Sequence, residues 1–211
     1  NGTSGHTIPH HLGVAPNVVW IKNLSDGEEW RCGHTSQSSN FSKGLHLSTN
    51  GSEWTQTGAF NDTAPSSTVF SVGNFNSTNG DGDNLIAYCF AKKAGYSKFG
   101  SYTGNGNTNG PFIYTGFKPA WVLTRRTDAT GNWHIFDNKR PTENPTDKVI
   151  NTNTSSAESD EGQGLDFYSN GFKIRESGNF VNAGSSPFIY IAFADEPLVA
   201  NVGNSIPATA R

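Results

Sequence analysis

The sequence predicts an all-β chain built as two tandem duplicated antiparallel β-sandwich lobes, jelly-roll-like in their many short strands. Three observations carry that reading. Only 33% of the 211 residues are hydrophobic and 16% are charged, while 24 Gly and abundant Asn, Ser and Thr fill the difference. Such a composition belongs to short strands joined by many turns. Short apolar segments recur along the chain without a convincing 3.6-residue period. Finally, one offset of 103 residues relates Gly13 to Gly116, Pro16 to Pro119, Val19 to Val122, Trp30 to Trp133, Asn79 to Asn182, Ile86 to Ile189, Phe90 to Phe193 and Ala91 to Ala194. A single offset that holds from the start of a unit to its end implies duplication.

Taken in order, the first unit opens with a Gly-x-x-Pro turn leading into NVVWIK (residues 17–22), and the second opens with the same turn leading into AWVLTR (residues 120–125). These are equivalent first strands. A loop containing Asp26-Gly27, or Gly131-Asn132 in the second copy, then leads to Trp30 or Trp133, so a hairpin is expected. GLHL (44–47) and DKVI (147–150) are short strand candidates, as are TVFSV (68–72) and GFKIR (171–175), the last pair lying one residue off the common offset. The closing strands LIAYCFA (85–91) and FIYIAFA (188–194) are apolar at both alternating sets of positions, which predicts strands in the middle of a sheet and covered on both faces. The middle segments 48–67 and 151–164 leave room for a short helix but do not require one.

Between the closing strand of one unit and the opening strand of the next, residues 92–109 have a linker's composition with three aromatics, Tyr96, Phe99 and Tyr102. This predicts a linker packed on the lobes, with the boundary near Gly100: residues 1–99 form the first repeat, and residues 100–211 form the second repeat with a C-terminal tail.

Charge and composition exclude several classes. A formal charge of −3 with no basic stripe argues against nucleic acid or anionic membrane as a partner. No run approaches a membrane-spanning length, so membrane insertion is not expected. The opening NGTSGHTIPHH has neither the charged nor the apolar region of a signal peptide, and a start without Met fits a chain cut from a longer protein. Cys32 and Cys89 make no disulfide framework, and Cys89 within an apolar run is expected to act as a small hydrophobe.

The combination IPHHLGVAPNVVWIK, LIAYCFA, GYSKFGSYTGNGNTNGPFIYTGFKPAWVLTRRTDATGNW, NGFKI and YIAFADEP resembles the repeated domain of tail-fibre and appendage proteins of marine bacteriophages, often found beside laminin-G-like lectin domains. The resemblance spans nearly the whole chain. It implies a virion structural protein at an exterior position, on a tail fibre or the capsid surface, without enzymatic activity. It further implies other virion proteins as partners, contact with a host surface glycan or protein, and a homo-oligomer with a trimer favoured. The alternative is a purely structural virion component, a capsid decoration or fibre spacer, that binds only other virion proteins.

Candidate chemistry is sparse. There is no Gly-x-Ser-x-Gly elbow, phosphate loop or dinucleotide fingerprint, so neither a catalytic residue nor a cofactor is expected. His6, His10 and His11 cluster, but Pro9 breaks their spacing and no acidic or Cys partner stands nearby, so no metal site is expected. Asp81-Gly82-Asp83-Asn84 lacks the full calcium-loop pattern and reads as a hairpin turn. Glu158, Asp160 and Glu161 concentrate in SSAESDEGQG, read as a solvated loop. Of these, Asp160 and Glu161 are candidate ligand-binding carboxylates. Trp30 and Trp133, equivalent in the two copies, are expected in the core. Trp54 stands in the polar stretch NGSEWTQTG with Ala157 at the 103-residue offset, and as a copy-specific aromatic it is the leading candidate for ligand contact.

Overall fold

A computed structural model describes residues 1–141, 143–195, 199–200 and 206–207; for residues 161, 163, 199, 200, 206 and 207 only the backbone is described. The chain is all-β, with antiparallel sheets and two one-turn helices among the described residues. It divides between Ala91 and Lys92 into two compact units.

In the first unit, strands β1 (His6–Pro9), β2 (Val18–Asn23), β3 (Arg31–His34), β4 (Lys43–His46), β5 (Trp54–Thr55), β6 (Val69–Val72) and β7 (Leu85–Phe90) are joined by α1 (Thr57–Phe60) and α2 (Asn76–Asn79). One sheet has the order β5-β4-β3-β2-β7, and β1 pairs with β6 in a second. Alternation along β2 puts Val19 and Ile21 on one face, and alternation along β6 does the same for Phe70 and Val72. These four close a buried cluster with Phe41, Ala59 and Phe60. Each such side chain, fully buried, contributes about 1.5–3 kcal/mol.

In the second unit, β8 (Ser97–Thr103), β9 (Phe112–Tyr114), β10 (Pro119–Arg126), β11 (His134–Asp137), β12 (Thr146–Asn151), β13 (Ser159–Tyr168), β14 (Gly171–Ile174) and β15 (Pro187–Ala194) form one sheet of order β8-β15-β10-β11-β12-β13-β14-β9. Its register with β12 shifts between Thr146↔Leu165 and Lys148↔Asp160. Gly162 and Gly164, both at positive φ, lie in that bulge. Only a residue without Cβ adopts such φ values readily, and the bulge re-aims the strand. Leu165 and Phe167 of β13 thereby join a core with Val122, Phe136, Phe172, Phe188 and Tyr190. A last short pair, β16 (Val199–Ala200) with β17 (Ile206–Pro207), follows.

The strand registers of the two units coincide under the shift read from the sequence. Val18 faces Phe90 and His34, and 103 residues later Trp121 faces Phe193 and Asp137. In the outer pairs the register departs from that shift by one or two residues: Ile8↔Phe70 has its counterpart in Ile113↔Phe172, at offsets of 105 and 102. The β3–β4 register Arg31↔His46 recurs as His134↔Asn151, two residues longer at its second member. A buried amide is repeated as well. Asn79 Nδ2 donates to the carbonyls of Thr3 and Gly73, and Asn182 Nδ2 donates to those of Asn107 and Glu176. Where the second unit has a continuous β13, the first has the two-residue β5 followed by α1, which separates β1–β6 from the larger sheet.

Several expectations are corrected. The junction 92–109 is no linker: Phe99 and Tyr102 belong to β8, an edge strand of the second unit, and Gly100 lies inside that strand rather than at a boundary. The closing strand β15 is interior, but β7 is an edge strand among the described residues, with Tyr88 45% exposed. Asp81–Asn84 does not join two strands of a hairpin but links α2 to β7, and Asp83 accepts from Asn23 Nδ2 at 2.6 Å. Trp133 is buried as expected, whereas Trp30 is half-buried and stacks on Tyr88. Both cysteines are free, with Cys32 buried and Cys89 half-buried.

Candidate functional site

Three adjacent strands of the first unit build a cleft around Trp54. Pairing of Gly44 with Trp54 seats β5 beside β4, and the register Arg31↔His46 brings two further side chains alongside. The Trp54 ring lies parallel to Phe75, with centroids 6.1 Å apart, and meets His46 edge-on at 5.4 Å. The Arg31 guanidinium sits 4.7 Å from the Trp54 centroid, within cation–π range. Arg31 Nε donates to Ser77 Oγ at 2.7 Å, and Nη1 lies 2.6 Å from His46 Nε2. Arginine only donates, so Nε2 of His46 is the acceptor and is unprotonated. Burial, reinforced by the Arg31 charge, holds His46 below the ordinary histidine range and agrees with that assignment.

The resulting cleft encloses about 440 Å³ and is lined by Arg31, His46, Thr49, Gly51, Ser52 and Trp54. Trp54 Nε1 is buried with no hydrogen-bond partner among the described residues. An indole N–H with no acceptor, a guanidinium held between rings, and hydroxyls at the lip suit a ligand rich in oxygen acceptors. The same place in the second unit is closed. His134 stands for Arg31 and Asn151 for His46, and the strand register puts Ser159, rather than Ala157, in the position of Trp54. Phe180, 103 residues from Ser77, meets the His134 ring edge-on at 5.1 Å, and His134 is only 4% exposed.

The acidic group is placed differently from the expectation of a loop. Ser159 begins β13, so Asp160 and Glu161 lie on a strand. Asp160 is exposed, accepts from Lys148 Nζ at 2.9 Å across the strand pair, and accepts from the Gly162 amide at 3.1 Å. The Lys148 bond holds its carboxyl below the usual range. Glu158 pairs with Arg140 at 3.0 Å. The Glu161 side chain lies outside the described residues. Trp54 is part of the first unit and Asp160 of the second, each with its own partners.

His10 is committed to structure: the Leu12 amide donates to its Nδ1 at 3.2 Å, so its Nε2–H donates to the Ser66 carbonyl at 3.1 Å. Among the described residues, no group of three or more His, Cys, Asp or Glu is arranged to hold a metal ion, and no helix is long and apolar enough to cross a membrane.

Arg31 and His46 carry no sequence motif. The signal available was the 103-residue offset itself, which sets Arg31 against the unlike His134 within an otherwise matched strand.

Fold and cleft together define an all-β protein of two units, the first of which carries an aromatic, cationic cleft. Residues 1–197 match DUF7483, a domain of unknown function, and the chain belongs to that family. No curated protein and no solved structure matches it.

Proposed function

We propose that this chain is a non-catalytic module of a bacteriophage appendage, a tail fibre or capsid-surface component, that binds a host cell-surface glycan or protein through the Trp54 cleft. The observation that carries the binding reading is the cleft itself: a half-buried Trp beside Arg31 and His46, in the one unit where the equivalent place is not filled by a side chain. A sugar ring stacks on an indole face while its hydroxyls accept from the indole and guanidinium N–H groups. The appendage reading is supported by the sequence resemblance, which also carries assembly with other virion proteins and a homo-oligomer with a trimer favoured. We further propose that the two units arose by tandem duplication of one β-sandwich lobe, supported by the coincident registers and the repeated buried Asn.

The test is binding of the intact chain to host cells and to a glycan array. Trp54→Ala and Ser52→Tyr, the latter an exposed lip residue whose replacement fills the cleft without touching the core, are each expected to weaken binding about tenfold or more. Binding that is unchanged in both variants, or absent in the intact chain, refutes the reading. The second reading, a purely structural virion component, is favoured by the open edge of β7, to which a neighbouring strand can add.

A further inference from the structure

The edge strand β7 and its counterpart β15 differ in their cover: β15 has β8 paired along its outer edge, and β7 has no described strand there. Beside β7 lies a groove of about 730 Å³ whose apolar lining includes Ile8, Ile21, Phe70, Val72, Leu85 and Cys89. In the second unit, the equivalent space holds Tyr102 of β8, which stacks on Phe188 at 5.0 Å and donates to the Val181 carbonyl at 2.8 Å. Phe188 and Val181 correspond, at the 103-residue offset, to Leu85 and Thr78, and both of these line the groove. The groove is therefore the first unit's equivalent of the place that β8 covers in the second.

The backbone that enters the first unit shows where such a strand would come from. Asn1 N donates to Asn79 Oδ1 at 3.2 Å, as Asn105 N does to Asn182 Oδ1 at 2.8 Å. Gly2 N donates to the Asn79 carbonyl at 2.9 Å, as Gly106 N does to that of Asn182 at 2.8 Å. Thr3 N turns back to Asn1 Oδ1 at 3.1 Å, as Asn107 N does to Asn105 Oδ1 at 3.0 Å. Gly2 and Gly106 share a left-handed backbone, with φ of 65° and 66°. Asn79 Nδ2 and Asn182 Nδ2 close the two turns on the carbonyls of Thr3 and Asn107. One offset of 104 residues fits all three positions, so Asn1 stands where Asn105 does, and only Gly104 separates Asn105 from the end of β8. Asn1 itself lines the groove.

We propose that β7 is the acceptor edge for the polypeptide that leads into Asn1, whose second to eighth residues ahead of Asn1 pair antiparallel with β7 as Ser97–Thr103 pair with β15. The β8–β15 register, carried to β7, sets the third residue ahead of Asn1 opposite Leu85, the fifth opposite Ala87 and the sixth opposite Tyr88. Backbone hydrogen bonds supply the attraction, and alternate side chains entering the groove supply the register. The third position faces the apolar lining and takes an aromatic or large aliphatic side chain, as Tyr102 is in β8. The fifth position departs from β8. Gly100 is required there in the second unit, because a Cβ would lie 2.7 Å from the ring of its cross-strand partner Tyr190, whereas Ala87 leaves room for a side chain.

The test joins a copy of residues 92–104 directly ahead of Asn1 of the intact chain and reads amide hydrogen exchange along β7. Antiparallel pairing engages alternate amides, so the β7 amides that β2 leaves free are expected to exchange about tenfold more slowly or less. Tyr102→Asp in the copy, which sets a charge against the apolar lining, is expected to abolish that protection. Gly100→Val in the copy is expected to increase it about threefold by filling the space beside Ala87, whereas the same substitution in β8 itself meets the Tyr190 ring. A free peptide of residues 92–104, added at millimolar concentration to the chain without the extension, is expected to protect the same amides, a readout that does not depend on the fusion folding. Exchange unchanged by both fusion and peptide, protection that survives Tyr102→Asp, or protection of the fusion that rises with chain concentration, the sign of pairing between copies, overturns the proposal. Host-cell and glycan binding through Trp54 is scored separately and does not enter these outcomes.

Discussion

His134 makes the acid sensitivity of the second unit calculable. The ring is 4% exposed. Burial first, and then the Arg125 charge, lower its pKa from 6.5 to about 4, with the Asn151 amide opposing both. The unfolded chain takes up a proton near 6.5 while the folded chain refuses it until about 4. The neutral ring's stability contribution is therefore fully present above 6.5 and lost as pH falls towards 4. At about 1.4 kcal/mol per pH unit, the whole effect is about 3 kcal/mol, of which about 2 kcal/mol is gone by about pH 5. Asp128 and Asp137, held below their ordinary value of 3.8, lose their contributions only at lower pH, so the histidine window stands apart. His46 adds a loss of the same sign in the first unit, which makes a probe specific to the second unit necessary. The His134 imidazole resonance is expected to titrate near 4. His134→Leu, which removes the titration, is expected to match the parent at neutral pH within about 1 kcal/mol and to lose the acid slope between about pH 6.5 and 4 in urea denaturation. Titration near 6.5, or an unaltered slope in the variant, refutes the reasoning.

Three further outcomes follow from particular contacts. Asn182→Ala removes a buried amide that donates to Asn105 Oδ1 and to the carbonyls of Asn107 and Glu176, and is expected to cost about 3 kcal/mol in denaturant unfolding. Gly73→Ala sets a Cβ against the carbonyl of Gly58, a backbone atom that cannot rotate away, and is expected to prevent the first unit from reaching its native thermal midpoint. Asp160→Asn breaks an exposed pair with Lys148 and is expected to leave both the unfolding midpoint and host-cell binding unchanged; a loss of binding would return the carboxylate to the site.

Strands with a strong apolar signal were legible: β2, β7, β10 and β15 fall where their residues predicted, and the 103-residue offset anticipated the registers that join them. Weakly patterned strands were not. In β8, polar Ser, Lys and Thr and one Gly flank two aromatics, because an edge strand needs only one covered face and Gly100 must clear the Tyr190 ring. That combination has a linker's composition. In β13, the polar run Ser159–Gly164 reads as loop because its order comes from pairing with β12 rather than from burial of its own side chains. The edge position of β7 was illegible for a different reason. An apolar pattern on both faces reports that a strand needs cover, without reporting which segment supplies it. Trp54 was visible as a copy-specific aromatic, but its neighbours were not, since cross-strand partners are fixed by register rather than by sequence proximity.

The two units share a scaffold and differ in what they leave open. In the second, His134 lies against Phe180 at one place, and Tyr102, Phe188 and Tyr190 pack together at the other. In the first, the corresponding places hold a cleft with an unpartnered indole N–H and a groove beside an exposed Tyr88. Neither opening helps the first unit fold. Leaving Ala87 exposed where the second unit buries the ring of Tyr190 forgoes about 2 kcal/mol, and a buried donor without an acceptor costs about 1–3 kcal/mol. The same core of Val19, Ile21, Phe60 and Phe70 offsets both. An oxygen-rich ligand in the cleft would satisfy the indole, and a strand along β7 would cover the apolar floor, so each opening is specific about the chemistry that closes it. The cleft asks for acceptors and the groove asks for backbone.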